Sequence, residues 1–260
     1  MKFVRFKDKH QQQLRQGILT DGEIKEISGN MFHKWDYTGE HFSQEEVDLA
    51  APLEPNQVIG IGANYVAKKE DLPEKGPDMP VFFFKPNSSV IGPGESIQLP
   101  ETIDEVKFES ELAVVIGKEA ASIREEEVFD YIFGYTVAND VTAPQYFHED
   151  GHWTLGKSFD TFTPLGPVIE TEFDADSAEI QAVHNGEKKQ DSPTNLMIVT
   201  TQRMIAYLSN VMTLKPGDVI LTGSPVGAEF LKENDEIECK IAGIGSLKNK
   251  VVKIKQPSQV

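Results

Sequence analysis

Residues 106–117 read VKFESELAVVIG, and this stretch decides the fold. Val, Leu and Ile dominate it and a glycine closes it, which predicts a β-strand over the whole range. Alternate side chains of a strand point to opposite faces, so Glu109 and Glu111 share one face with the apolar residues that follow them. At about 3.3 Å per residue, their stems lie roughly 6.6 Å apart. Two carboxylates in an otherwise apolar column need a proton or a cation between them.

A third acidic residue, Asp140, ends the strand-like stretch YTVAND at residues 135–140. Glu109, Glu111 and Asp140 offer only oxygen ligands, which suit Mg²⁺, Mn²⁺ or Ca²⁺ better than Zn²⁺. An ion held by three carboxylates keeps open positions for a substrate, and catalysis needs those positions. Paired glutamates on an exposed strand and an aspartate at a strand end are also ordinary surface and turn chemistry. The pattern by itself therefore leaves both interpretations open.

Composition limits the class of protein. The 260 residues include 25 Lys and Arg against 42 Asp and Glu, a net charge of −17. Such a surface repels phosphate backbones and anionic lipid, so we expect neither nucleic-acid nor membrane binding. No apolar run approaches about 18 residues, and the N-terminus lacks an apolar signal region. Cys239 is the only cysteine, which excludes an intramolecular disulfide and fits a cytoplasmic location.

The chain is predicted to contain many short strands and few helices. This pattern indicates an α+β fold, mainly β, arranged as a mixed β-roll. Residues 1–55 are expected to form a small N-terminal β domain, and residues 56–260 a larger catalytic domain. Ser43 followed by Glu46 resembles a capping box, which predicts a short helix near residues 45–50. Ser122 and Glu125 form a second such pattern, which predicts a helix over residues 122–131, and a third helix is predicted over residues 200–211.

From about residue 56 to residue 255, the chain resembles the fumarylacetoacetate hydrolase family. The resemblance rests on eight blocks in family order and with family-like spacing, which are IGIGANY, FFFKPNSSVIGPG, VKFESELAVVIGK, VFDYIFGYTVANDVTA, LGKSFDTFTPLGP, VHNGEKKQ, MTLKPGDVILTGSPVG and IAGIGSLKN. It implies a homodimer that holds Mg²⁺ or Mn²⁺ through Glu109, Glu111 and Asp140. It also implies substrates that are 2-oxo or 2-hydroxy-2-enoic acids, often derived from aromatic catabolism.

Three further residues fall in matched blocks and are implied to bind the substrate. Lys157 in LGKSFD matches a family lysine that faces the substrate, and its ammonium can donate to an enolate or carboxylate, which makes it the candidate catalytic residue. Thr222 in LTGSP matches a substrate-contacting threonine, and Lys85 lies in FFFKP. The alternative interpretations are a surface lysine, an ordinary strand residue and a lysine packed on aromatic rings, respectively.

Two departures from the family pattern affect the expected reaction. Lys68 stands where the hydrolases carry a lid histidine that activates water, and Asp71 follows three residues later. The stretch Thr142-Ala143-Pro144-Gln145 replaces a Ser-Ala-Arg-Asp stretch whose arginine binds a distal carboxylate. His148 and His152 follow downstream and are interpreted as surface residues or as replacements for the lost groups.

Hydrolysis of 1,3-dicarbonyls, β-decarboxylation and enol–keto isomerisation all pass through an enolate, which a metal ion stabilises as a Lewis acid. Because isomerisation and decarboxylation need no activated water, the departures favour an isomerase of the 5-carboxymethyl-2-hydroxymuconate or 2-hydroxyhepta-2,4-diene-1,7-dioate type. A C–C bond hydrolase of the acylpyruvate or fumarylacetoacetate type and an oxaloacetate-type decarboxylase are alternatives. A non-catalytic protein that binds a metal and a keto acid is the alternative from another class.

Overall fold

The computed structural model describes residues 1–9 and 13–255. Their strands, in chain order, are β1 (Lys2–Asp8), β2 (Leu14–Thr20), β3 (Glu23–Gly29), β4 (Trp35–Ser43), β5 (Val47–Ala50), β6 (Val58–Ile61), β7 (Phe82–Lys85), β8 (Val90–Ile91), β9 (Ser96–Pro100), β10 (Ser110–Ile116), β11 (Ile132–Asn139), β12 (Thr163–Glu170), β13 (Glu179–His184), β14 (Glu187–Pro193), β15 (Val219–Leu221), β16 (Glu236–Ile241) and β17 (Gly245–Ile254). The α-helices are α1 (Thr154–Lys157) and α2 (Thr201–Val211). Short 3₁₀ segments lie at Gln44–Glu46, Lys69–Asp71, Asn87–Ser89, Glu125–Tyr131, Pro144–Tyr146 and Thr194–Leu196. These elements confirm the predicted mainly β, α+β class.

Twelve strands form one mixed sheet, whose main path runs β4-β3-β2-β1-β12-β11-β10-β15-β6-β7, with β5 paired to β1 and β8 paired to β12. The other five form a second sheet in the order β14-β13-β16-β17-β9. Strand β1 pairs with β12 through Lys2 and Phe3, so the N-terminal strands continue the larger sheet. The division of the chain into two domains at residue 55 stays a prediction.

Strand β10 lies inside the larger sheet, between β11 and β15, and all seven of its residues are buried. Its two faces belong to different parts of the core. Leu112 and Val114 pack in a cluster that includes side chains of the second sheet, whereas Ala113 and Val115 pack in a cluster on the opposite face. The predicted alternation along this strand is therefore confirmed, and it places the two glutamates on the same face as Ala113.

The predicted start of this strand is wrong. The regular ladder begins at Ser110 rather than at residue 106. Before it, Lys107 forms only isolated bridges, to Thr142 and to Phe230. The apolar pattern extends further than the ladder because these residues are covered by loops that follow neighbouring strands, and burial alone does not require continuous strand pairing.

The three predicted helices have different outcomes. The helix predicted over residues 122–131 is a 3₁₀ segment at Glu125–Tyr131 and not an α-helix. Helix α2 confirms the prediction for residues 200–211 and begins at the N-cap Thr200, whose side chain accepts the N–H of Arg203. The helix predicted near residues 45–50 is wrong. The capping box of Ser43 and Glu46 exists, but it caps a single 3₁₀ turn, after which β5 pairs with β1. None of the described helices is long and apolar enough to span a membrane.

The larger sheet opens at the N-terminal end of β10. Strand β15 pairs with β10 only through Val219–Leu221, after which the chain leaves the sheet. On the other side β11 stays paired, with Asn139 opposite Ser110, and Asp140 then donates its backbone N–H to the Glu109 carbonyl at 2.8 Å. One neighbouring strand therefore departs while the other continues, and the gap between them exposes the acidic end of β10.

Candidate metal centre

Three carboxylates converge at this gap. Glu109 and Glu111 come from the start of β10 and Asp140 follows the end of β11, and one oxygen of each lies within 4.8 Å of the others. The antiparallel register explains their proximity, because Ser110 lies opposite Asn139. The residues that flank this pair, Glu109 and Asp140, are therefore neighbours on the face that Glu111 also shares. The structure brings the three predicted residues together, and their role as metal ligands stays a prediction.

These carboxylates are largely shielded from solvent. Glu111 is 2% exposed and Asp140 1%, while the side chain of Glu109 is 22% exposed. Burial raises the pKa of Glu109, and burial together with the negative charge of Asp140 raises that of Glu111 well above its usual range. The Glu111 Oε2 atom accepts the Gly223 N–H at 2.7 Å. Among residues 1–9 and 13–255, no lysine, arginine or histidine forms an ion pair with Glu111.

Two buried lysines compensate the other two carboxylates. The Lys157 ammonium lies 2.8 Å from Glu109 Oε2, 2.5 Å from Asp140 Oδ2 and 4.8 Å from the ring centre of Phe83. The Lys85 ammonium lies 2.6 Å from Asp140 Oδ1. Burial favours a raised pKa for Asp140, but the two ammonium groups outweigh it and hold that pKa below its usual value. Burial lowers the pKa of Lys85, whereas at Lys157 the two carboxylates outweigh burial and raise the pKa.

The donor set fits a hard divalent cation. The three carboxylates and two ammonium groups leave one negative charge in excess, and Glu111 is the member without a cationic partner. A buried charge that lacks a partner is costly, so a cation beside Glu111 would be favourable. All the ligand atoms on offer are carboxylate oxygens, which Mg²⁺ and Mn²⁺ prefer. We therefore expect Glu109, Glu111 and Asp140 to be able to hold such an ion.

A cavity of about 170 Å³ lies over the carboxylates. Its lining residues are Ile61, Gly62, Ala63, Phe83, Glu109, Glu111, Asp140, Phe147, Trp153, Lys157, Ser224, Pro225 and Ala228. The Trp153 ring stacks on Phe147, with centroids 5.6 Å apart, and meets Phe83 edge-on at 5.9 Å. The cavity therefore combines an acidic floor, one ammonium group and an aromatic wall, an arrangement that suits a small polar ligand with an apolar part.

Of the three predicted substrate-binding residues, only Lys157 lines the cavity. Thr222 is fully buried behind the wall, where its hydroxyl donates to the Leu112 carbonyl at 2.9 Å. Lys85 is buried behind Asp140, which accepts a hydrogen bond from the Lys85 ammonium group. This geometry gives Thr222 and Lys85 supporting positions, and direct contact of either with a substrate stays a prediction.

Most of the cavity wall was not predicted from the sequence, and Ser224 and Trp153 are two examples. Ser224 lies in the same LTGSP block as Thr222, but the strand ends before it and Gly223, with φ of +95°, turns the chain into the cavity. That glycine is the signal that could have identified Ser224. Trp153 belongs to an irregular segment without periodicity, so no sequence pattern indicated which way its side chain points.

The residues considered as replacements for the family's lid histidine and arginine do not line the cavity. Lys68 is exposed and forms an ion pair of 3.9 Å with Asp71. His148 and His152 are also exposed, on the outer side of the segment whose aromatic residues line the cavity. Among the residues that the structure describes, no histidine lines the cavity. The centre thus offers carboxylates and one ammonium group, without an imidazole base.

Comparison with known proteins identifies the class to which this fold and site belong. Residues 57–252 match the family model described as fumarylacetoacetate (FAA) hydrolase C-terminal, and residues 1–52 match the one described as Rv2993c-like, N-terminal. The chain belongs to the fumarylacetoacetate hydrolase family, which confirms the resemblance seen in its sequence. Members of this family are enzymes that include isomerases, hydrolases and an oxaloacetate tautomerase, and the protein is an enzyme of this family.

Two curated relatives illustrate the similarity. Protein Rv2993c of Mycobacterium tuberculosis is 39% identical over 248 residues, which cover 91% of this chain and 94% of the relative. Oxaloacetate tautomerase fahd2, mitochondrial, of Xenopus laevis is 41% identical over 223 residues, which cover 81% of this chain and 70% of the relative.

Two solved structures share the whole fold. The 5-carboxymethyl-2-hydroxymuconate delta-isomerase of Mycobacterium smegmatis is 37% identical, with a TM-score of 0.90 over 98% of this chain and 100% of that one. The maleylpyruvate hydrolase of Sphingobium sp. SYK-6, solved in complex with manganese(II) ion and pyruvate, is 28% identical, with a TM-score of 0.82 over 97% of this chain and 99% of that one.

The substitution Glu111→Gln is expected to stabilise the metal-free protein. Gln keeps an acceptor for the Gly223 N–H and is neutral, whereas the buried Glu111 must either carry a charge without a cationic partner or take up a proton on folding, so we expect a gain of about 1–3 kcal/mol in the free energy of unfolding at pH 8. Because folding raises the Glu111 pKa, the wild-type protein is stabilised by protonation of this group and loses that stability as pH rises above about 4.5. Urea denaturation of EDTA-treated protein between pH 4.5 and 8 measures both effects.

The matched control for this substitution is Glu119→Gln at an exposed position, which should leave the unfolding curve unchanged. The difference between Glu111→Gln and wild type should shrink towards pH 4.5, where both side chains are neutral in the folded state. A Glu111→Gln protein that is less stable than wild type at pH 8 would contradict this account of the charge balance.

Proposed function

We propose that the protein is a divalent-metal-dependent enzyme that interconverts enol and keto forms of 2-oxo acids, most closely as an isomerase of the 5-carboxymethyl-2-hydroxymuconate or 2-hydroxyhepta-2,4-diene-1,7-dioate type. The observation that carries this proposal is the carboxylate floor with a single ammonium group facing a small cavity. The isomerase and the oxaloacetate tautomerase among the similar proteins support the same class of reaction.

The three carboxylates have the role of binding the cofactor. Glu109, Glu111 and Asp140 would hold Mg²⁺ or Mn²⁺, and when bound the ion supplies Lewis-acid polarisation to the C2 oxygen of a 2-oxo acid. Manganese(II) and pyruvate in the solved maleylpyruvate hydrolase support a ligand of this chemistry. The two lysines keep Glu109 and Asp140 charged, and a carboxyl group must be charged to ligate a cation.

Lys157 has the role of stabilising the negative charge that develops on the substrate. Its ammonium group has three N–H bonds, of which Glu109 and Asp140 accept two, so the third is free to donate into the cavity. Its raised pKa keeps it protonated, so it acts as a hydrogen-bond donor to the enolate oxygen and not as a base.

The cavity wall favours isomerisation over C–C bond hydrolysis. Hydrolysis consumes a water molecule that a base must activate, and within the described part of the chain no histidine lines the cavity. Enol–keto conversion instead only moves a proton from the enol oxygen to carbon, and solvent at the open side of the cavity can carry it. The rings of Phe83, Phe147 and Trp153 form a wall that suits the apolar part of such a substrate. Decarboxylation of an oxaloacetate-type substrate also needs no activated water and is the second candidate. The homodimer and the cytoplasmic location stay predictions.

A substrate assay tests the proposed function. Purified protein, treated with EDTA and then supplied with Mg²⁺ or Mn²⁺, is mixed with oxaloacetate, an acylpyruvate and a hydroxymuconate-type diene. We expect metal-dependent enol–keto conversion, followed by ultraviolet absorbance of the enol, with at least a hundredfold loss of rate in EDTA. Release of two acids from the acylpyruvate would identify a hydrolase, and release of CO₂ from oxaloacetate a decarboxylase. Turnover that is insensitive to EDTA would contradict the role of the metal.

The substitution Lys157→Met separates charge stabilisation from metal binding. At pH 8 Lys85 still pairs with Asp140 and a bound Mn²⁺ ion replaces the positive charge of Lys157, so Mn²⁺ affinity should stay within about tenfold of wild type, whereas kcat should fall by about 10²–10³-fold because the enolate loses its donor. Titration with Mn²⁺ and a kinetic assay give the two quantities. The exposed Lys118→Met serves as the control and should change neither. A Lys157→Met protein with normal kcat would refute the assigned role.

A further inference from the structure

Gln190 links the second sheet to the candidate metal centre. It lies on β14, the edge strand of that sheet, yet its side chain is fully buried at the acidic end of β10. Its Oε1 accepts the Ser110 N–H at 3.0 Å, and its Nε2 donates to the Ser224 hydroxyl at 2.8 Å and to the Pro225 carbonyl at 2.6 Å. The amide group therefore contacts both the metal-binding strand and the cavity wall.

The position of this amide follows from the gap in the larger sheet. Because β15 does not extend alongside Ser110, the backbone groups of Ser110 have no strand partner on that side. An unpaired N–H in a buried position is costly, and the Gln190 side chain avoids this cost by accepting a hydrogen bond from the Ser110 N–H. The Ser110 carbonyl accepts the Ser224 hydroxyl at 3.2 Å. Side-chain hydrogen bonds thus replace a missing stretch of strand at the point where the cavity opens.

The same hydrogen bonds set the orientation of the Ser224 hydroxyl, which lines the cavity. The N–H of Gln190 occupies a lone pair of the Ser224 oxygen, so the hydroxyl proton must point in another direction. Its acceptors within the protein, the Ser110 and Pro225 carbonyls, are 3.2 and 3.4 Å away, beyond the usual O–H···O distance of about 2.7–2.8 Å. A ligand carboxylate or enolate oxygen in the cavity would be a stronger acceptor.

We propose that Gln190 is a positioning residue for the reaction, which acts through Ser224. It directs the Ser224 hydroxyl towards an anionic oxygen of the ligand and fixes the wall that carries it relative to Glu109 and Glu111. This inference rests on the proposed function, because it takes the ligand to be a 2-oxo acid or its analogue.

Oxalate binding to the Mn²⁺-loaded protein provides the test. Oxalate is the probe because it carries the two adjacent oxygens of a 2-oxo acid and does not react. We expect Gln190→Met to lower the affinity for oxalate about tenfold, since the hydroxyl is no longer held. In the Ser224→Ala background, the same substitution should lower it less than about threefold, because its effect passes through Ser224. Mn²⁺ affinity without oxalate should stay within about threefold of wild type, since Gln190 does not touch a carboxylate.

The substitution Ser224→Ala by itself covers the case in which Gln190→Met does not fold. It keeps the bonds of Gln190 to the Ser110 N–H and the Pro225 carbonyl and removes only the hydroxyl, so it should fold and lower oxalate affinity about tenfold. Gln181→Met on the neighbouring strand is the matched control, because the Gln181 amide bonds to Asp191 at the surface. It should bind oxalate as wild type does.

The outcomes distinguish this inference from the proposed function. Wild-type oxalate affinity in Ser224→Ala would overturn the positioning role, because Gln190 would then have no ligand-binding hydroxyl to position. Losses that are equal in the wild-type and Ser224→Ala backgrounds would also overturn it, because they would show a general structural effect. If the wild-type protein binds Mn²⁺ but not oxalate, or binds neither, the proposed function itself fails and the inference fails with it.

Discussion

The charge balance around Asp140 is the interaction on which the site depends. Each of its two carboxylate oxygens forms an ion pair with an ammonium group, one with that of Lys85 and the other with that of Lys157. The Lys157 ammonium group also pairs with Glu109. Two of the three carboxylates are therefore compensated by the protein, whereas within the described residues Glu111 accepts only a backbone N–H. A divalent cation would complete this balance, and it would do so at the floor of a cavity.

The topology of the larger sheet makes this arrangement accessible. Because β15 leaves β10 after three residue pairs while β11 continues, the acidic end of β10 lies in the interior without being sealed by a neighbouring strand. The second sheet reaches across the gap through Gln190, and the loop that begins at Gly223 forms one wall. The carboxylates therefore lie on or beside paired strands, whereas loops form the cavity wall. This division allows relatives to differ in reaction while they share a fold.

Sequence reasoning predicted the local features of this site better than its long-range contacts. Alternation along one strand was enough to place Glu109 and Glu111 on the same face, the end of a second strand added Asp140 as a candidate, and the family resemblance supported all three. The pairing of Lys85 with Asp140 joins residues that are 55 positions apart, and no local pattern encodes it. Ser224 was missed because the chain turns at Gly223, and the helix near residues 45–50 was mispredicted because pairing with β1 outweighed the helical signal of a capping box.

The most direct test of the account is the position of a bound ion. Crystals of the protein soaked in MnCl₂ would be measured at a wavelength where manganese scatters anomalously. The account predicts one strong anomalous peak over the cavity floor, in contact with one oxygen each of Glu109, Glu111 and Asp140, with Lys157 still beside it. A manganese peak elsewhere, or a Glu111 side chain turned away from the other two carboxylates in a crystal that has bound the ion, would contradict it.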